Sequence, residues 1–259
     1  MKKNKLAKAI APLLLSVSVA ASSADIASES GVGINNGFTP SGTLNVLWDQ
    51  ITGLVSTNGA PDQDFEAAFD VYDSWGADDF VVGGFGWSVQ RVNTQGTYSA
   101  GGPVNTVDVA IQTDAGGAPS GTAVCDYSGL TVSTDVTGSY GIDLPTSCDL
   151  PTGTYWLVMQ SNMDFGVAGQ HFWSNTTTTS GNLAHWINPG DGFGSGCTSW
   201  QPAGSVCGVG GGVPFDNLFS LEGTMLPPPI IPSLNWLGLT LMFLTLGFVG
   251  HKFIKKQEI

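Results

Sequence analysis

Val107-Asp108-Val109-Ala110-Ile111-Gln112 sets its larger apolar side chains on alternate positions. Successive side chains of a strand point to opposite faces, so this alternation predicts a half-buried β-strand. Working outward, Tyr155-Trp156-Leu157-Val158-Met159 is apolar on both faces and predicts a strand covered on both sides. Phe219-Ser220-Leu221-Glu222 repeats the alternation. Further strands are expected at 44–51, 79–82, 87–93, 121–127, 130–136, 140–144 and 171–174. Turn signals separate them, among them Asp114-Ala115-Gly116-Gly117, Pro151-Thr152-Gly153 and Asn188-Pro189-Gly190-Asp191-Gly192. About ten short strands so punctuated define an all-β chain. The expected architecture is a single antiparallel β-sandwich, jelly-roll-like, spanning residues 25–224.

Composition agrees. The 259 residues include 36 glycines and 14 prolines, which disfavour long helices, while 10% aromatics argue against a disordered chain. Charge is distributed unevenly. All seven lysines lie within the first eight or last eight residues. From Asp25 to Ile230 there are 20 acidic residues and one base, Arg91, a formal charge of −19. Such a surface excludes general nucleic-acid binding, which needs a basic face, and suits a saline exterior that screens it.

The two ends read as addresses. A basic stretch, Met1 to Lys8, precedes an apolar run from Ala9 to Ala21 and the small residues Ser22, Ser23 and Ala24. This is the three-part pattern of a secretory signal peptide, residues 1–24, too short in its apolar run to span a bilayer. At the other end, Pro227 to Pro229 belong to a stiff spacer, residues 225–230. Ile230 to Val249 is then 20 residues, enough for a transmembrane helix, and the lysines after it place the tail in the cytoplasm and the body outside.

Ile231-Pro232-Ser233-Leu234, Trp236 and Gly238, followed by the apolar helix and the basic tail, resemble the IPTL-CTERM sorting signal of Gram-negative bacteria, a PEP-CTERM-like tail. The resemblance covers residues 231–259. It implies export across the inner membrane, anchoring through the C-terminal helix, and handling by export and C-terminal processing machinery before surface display or release. Asp62-Gln63-Asp64-Phe65, Ala77 to Val82, Trp87, Gly116 to Pro119 and Leu150 to Trp156 resemble an uncharacterised family of secreted bacterial β-sandwich proteins. That resemblance implies a sandwich fold at the cell surface and transfers no catalytic residue.

Four cysteines, Cys125, Cys148, Cys197 and Cys207, allow three pairings. Nearest-neighbour pairing closes modest loops and predicts Cys125–Cys148 and Cys197–Cys207. Cys-x-x-Cys pairs suited to zinc are absent, and an exported chain favours disulfides. Asp73, Asp78 and Asp79 fall within seven residues, and a turn there would direct hard oxygen donors at a structural calcium. The alternative is solvated or strand-capping aspartates; no other cofactor is implied. Acidic pairs also serve glycosidases, and His171 or His185 would serve a triad, so a secreted hydrolase acting on polysaccharide is the catalytic alternative. Neither a Gly-x-Ser-x-Gly elbow nor a His-Glu-x-x-His helix is present. The segment from His171 to Trp200 is rich in aromatics and amides, and Trp173, Trp186, Trp200 and Asn188 are its candidate glycan contacts, set against ordinary core packing. The expectation is a non-catalytic, surface-displayed protein acting in adhesion, glycan contact or the extracellular matrix. A purely structural surface or biofilm component is the further alternative.

Overall fold

The computed structural model describes residues 44–229, 240 and 242–246. The signal peptide and nearly all of the sorting segment lie outside the described residues, as do all six residues of its motif. Among the described residues no helix is long and apolar enough to cross a membrane.

The chain is all-β. A five-stranded sheet runs in the order β1 (Asn45–Asp49), β16 (Phe219–Met225), β5 (Trp87–Thr94), β10 (Ser139–Leu150) and β9 (Thr134–Val136). A seven-stranded sheet runs β14 (Gln201–Pro202), β13 (His185–Ile187), β4 (Trp75–Val82), β11 (Gly153–Asn162), β7 (Thr106–Asp114) and β8 (Pro119–Leu130), with β3 (Gln63–Asp64) also on β11. A four-stranded sheet is built on β12 (His171–Thr176), which pairs with β2 (Asn58–Pro61), β6 (Gly96–Tyr98) and β15 (Asp216–Asn217). The two-residue contact of β3 with β11 is parallel and the other described pairings are antiparallel.

The two larger sheets face one another across one apolar core. Trp87, Val89, Val92, Ile142, Leu150, Phe219 and Leu221 come from the five-stranded sheet; Phe80, Val82, Val107, Val109, Ile111, Leu157 and Met159 come from the seven-stranded sheet. The alternation of β7 is as the sequence indicates: Val107, Val109 and Ile111 are buried, while Asp108, Ala110 and Gln112 face outward and are partly exposed. Strand β11 is buried along most of its length, as its two apolar faces require. Strand β4 starts at Trp75, four residues earlier than expected, because Asp78 and Asp79 sit inside the strand rather than at its entry.

Both predicted disulfides form. Cys125 on β8 joins Cys148 on β10 with a Cα–Cα distance of 6.0 Å, tying one sheet to the other. Cys197–Cys207 closes a loop within the long excursion between β12 and β15. That excursion has its own small core, with Ala184, Trp186, Ala203, Val209 and Phe215 packed around the disulfide.

Candidate functional site

The outward face of the seven-stranded sheet carries a groove of about 410 Å³. Its floor is made by small and branched residues brought into register on adjacent strands. Val158 of β11 lies beside Ala110 of β7, and Ala110 beside Asp126 of β8. One wall is Trp75, at the first position of β4. On the same side, Ile187 of β13 is the register partner of Trp75, and Trp200 and Pro189 join them from the excursion that holds the second disulfide. Both tryptophans are partly buried and rest on a cluster of Ala77, Trp156 and Val158. Ala110 and Ala123 line the groove with small side chains.

Polar groups rim this apolar floor. Asp108 accepts hydrogen bonds on Oδ1 from the Gly129 amide at 2.6 Å and from Asn162 Nδ2 at 3.0 Å, so its carboxylate is held in place by one oxygen. Gln112 accepts from the Gly121 amide through Oε1 at 2.8 Å, which orients its amide group. Asp126 is exposed. Behind the floor, Trp156 donates from Nε1 to Asp114 at 2.9 Å, and His185 meets the same indole edge-on with centroids 4.8 Å apart. Burial pushes the His185 pKa down, so this imidazole is neutral. Partly exposed indoles beside fixed carboxylates and an amide suit a ligand with one apolar face and a hydroxyl-bearing edge.

The structure redistributes the glycan-contact candidates. Trp200 lines the groove, but Trp173, Trp186 and Asn188 do not reach it. Trp173 is 1% exposed and donates to the Leu218 carbonyl; Trp186 is 0% exposed and donates to the Pro61 carbonyl. Asn188 is fully buried, donating to the carbonyls of Val71 and Asp73 and accepting from the Phe193 amide. The two indoles fill cores and the amide ties loops, so none presents a face to a ligand. Trp75 was missed because the sequence pattern predicts a strand only from Asp79, whereas Trp75 is the first residue of β4.

Asp73, Asp78 and Asp79 are not gathered into one metal centre. Asp73 accepts from the Phe65 amide. Asp78 and Asp79 are consecutive in β4 and so take opposite faces of the strand. Asp78 accepts from Gln50 Nε2 and from the Asn217 amide, whereas Asp79 accepts from the amide and side chain of Asn182. Among the described residues no three His, Cys, Asp or Glu side chains are placed to share an ion. Asp78 and Asp79 lie inside continuous strand, while Asp73 stands before it at the end of the 3-10 turn Asp70–Tyr72. Gly181, with φ +82°, lets the segment from Ser180 to Asn182 close over Asp79, where any Cβ would stand 2.7 Å from Oδ1.

These carboxyls titrate unusually. Burial, reinforced by repulsion from Asp216, lifts Asp78 well above the ordinary carboxylate range. Burial pushes Asp216 up to about 7 and Asp73 up to about 6. An acid whose folded pKa is raised holds its proton in the folded state and releases it, when unfolded, near the usual value of about 3.9. The folded state then binds more protons, so stability falls as pH rises from about 4 through about 7. The melting temperature should accordingly be lower at pH 8 than at pH 5 by about 4 °C or more at fixed ionic strength. Asp78→Asn with Asp216→Asn should shrink that drop. An undiminished drop in the double variant would assign it instead to repulsion among surface carboxylates.

Ser161, His171 and Asp62 do come together, but not as a nucleophile relay. His171 Nδ1 meets both Asp62 Oδ1 at 2.6 Å and Ser161 Oγ at 3.1 Å, while Nε2 donates to the Gly138 carbonyl at 2.8 Å. A relay needs the hydroxyl and the carboxylate on opposite ring nitrogens. His171 and Asp62 are each 1% exposed, and Tyr140 stacks on the imidazole at 4.7 Å. The trio is a buried polar tie between β12, β11 and the β9–β10 turn.

An antiparallel β-sandwich with an aromatic-walled groove on one outer sheet face is the class that fold and site define. No protein-family model matches the chain, and no curated protein matches it. Among solved structures, the cysteine protease and lectin-like domains of Cwp84, a surface layer associated protein of Clostridium difficile, resemble it at 13% identity with a TM-score of 0.43. The match covers 73% of this chain and 37% of that one.

Proposed function

We propose that this is an exported, non-catalytic β-sandwich protein that contacts glycans through the groove that Trp75 and Trp200 line. The carrying observation is the groove itself. Two partly exposed indoles line it beside a floor of small and branched residues, with the side chains of Asp108, Gln112 and Asp126 at hand for hydroxyls. Two disulfides in a chain whose N-terminus reads as a signal peptide support an oxidising, extracellular setting. Residues 25–224 then form the ectodomain, jelly-roll-like in its winding. Residues 225–230 are the spacer, and 231–259 the sorting segment that holds the chain to the membrane until C-terminal processing.

Screening the full chain on a glycan array, then titrating a retained oligosaccharide, tests the reading. Trp75→Ala and Trp200→Ala should each weaken binding about tenfold or more, as loss of an aromatic anchor does, with the melting temperature little changed. Retention of no glycan at all would favour a purely structural surface component. Release of shortened oligosaccharides during the titration would favour the hydrolase.

A further inference from the structure

The groove has carboxylates at its rim, and among the described residues no basic side chain lines it. Of its lining residues two are acidic, Asp108 and Asp126, and none is basic. The one basic residue from Asp25 to Ile230, Arg91, is 6% exposed and paired to Asp143 at 3.0 Å on the five-stranded sheet, the sheet that does not carry the groove. A ligand entering the groove therefore meets negative charge that no described lining residue offsets. Polyuronates and sulfated glycans bring like charge into that field and are repelled, and a neutral glycan gains nothing from it.

Resting on the glycan reading of this groove, we infer that its preferred ligand is a cationic amino sugar: a hexosamine oligomer whose nitrogens are free amines. The geometry supplies what such a unit needs. Trp75 and Trp200 bring partly exposed indoles to the groove for a pyranose ring to rest on, and an ammonium near an indole face is attracted by the ring quadrupole. Asp108 is fixed through Oδ1 by Gly129 and Asn162, so ordering it for an ammonium requires little further loss of freedom. Asp126 sits across from Ala110 in register, on the same groove floor. The unmodified amine is the recognised feature, and N-acetylation removes both the charge and two of its three donors.

The test compares three soluble hexamers by calorimetric titration of the purified full-length chain: β-1,4-linked glucosamine, its fully N-acetylated counterpart, and a polyuronate. At about 20 mM salt the glucosamine hexamer should bind about tenfold more tightly than the N-acetylated one, the scale expected of two partly screened ion pairs. The polyuronate should not bind. Salt of about 0.5 M should largely erase the preference. Asp108→Asn with Asp126→Asn keeps the Oδ1 acceptor for Gly129 and should equalise the two hexosamine ligands. Equal or tighter binding of the N-acetylated hexamer would overturn the amino-sugar inference while leaving the glycan reading intact. Binding of glucosamine that survives Trp75→Ala with Trp200→Ala would overturn it too, by assigning the attraction to the whole acidic surface. Binding of none of the three would overturn it and count against the groove as a hexosamine site at all.

Discussion

His171→Ala should lower the stability of the folded chain by about 3–5 kcal/mol, the range expected when one partner of a buried ion pair is removed. At about 2–4 °C per kcal/mol, the melting temperature would fall by roughly 6–20 °C. Burial disfavours the imidazolium, but the neighbouring Asp62 more than compensates and raises the His171 pKa above its ordinary value. Burial raises Asp62 in turn, with His171 opposing that shift. The pair therefore shares a proton in a dry site. Alanine at 171 leaves Asp62 with no countercharge and removes the ring against which Tyr140 stacks. It also strands the Gly138 carbonyl, which the β9–β10 turn brings close only because Gly138 adopts φ +96° beside the Thr97 backbone. Asp62→Asn with His171→Gln removes charge from both sides and should recover a large part of the loss. A shift of less than about 2 °C for His171→Ala would show that the buried pair contributes nothing net, as some buried pairs do.

The second large effect belongs to the inter-sheet disulfide. Cys125 and Cys148 are 23 residues apart, and closing a loop of that length restricts the unfolded chain by about 3 kcal/mol. Replacing both cysteines by alanine should lower the chemical denaturation midpoint and raise the m-value, because the unfolded chain is then less compact. Cys148 is fully buried in the main core, so its truncation adds a packing loss of its own. Cys125 is partly exposed and adds less. An unchanged midpoint would mean that β8 and β10 stay together without the bond.

The strands that carry the main core were legible from their apolar patterns. Val107 to Gln112 and Phe219 to Glu222 announce themselves by alternation, and Tyr155 to Met159 does so by being apolar throughout, although only Val107 to Gln112 buries a single face and the other two are buried on both. The pairing of the cysteines was legible from their spacing. The four-stranded sheet was legible only at His171–Ser174. Its other strands are short and rich in Gly, Asn and Pro, and β12 itself is buried along its whole length, so no alternation marks them. The 130–136 region was expected as one strand but is divided: β8 ends at Leu130, and β9 begins at Thr134 as part of a separate hairpin with β10. At the site, residue type alone does not separate Trp186 from Trp200. Both lie on the same excursion; the first fills its small core and the second leans out over β4 and β11. That distinction depends on how the excursion folds back, which no local pattern encodes.

Arg91 has a consequence for resistance to proteolysis. Proteases that cut after lysine or arginine need an extended, accessible stretch around a basic residue. Between Leu44 and Pro229 the chain offers them one such bond, and it lies mid-strand in β5, flanked by β16 and β10, with the guanidinium held by Asn93, Asp143 and Ser133. Enzymes of trypsin-like specificity would therefore find no scissile site in the folded sandwich, and any cut they made would report unfolding.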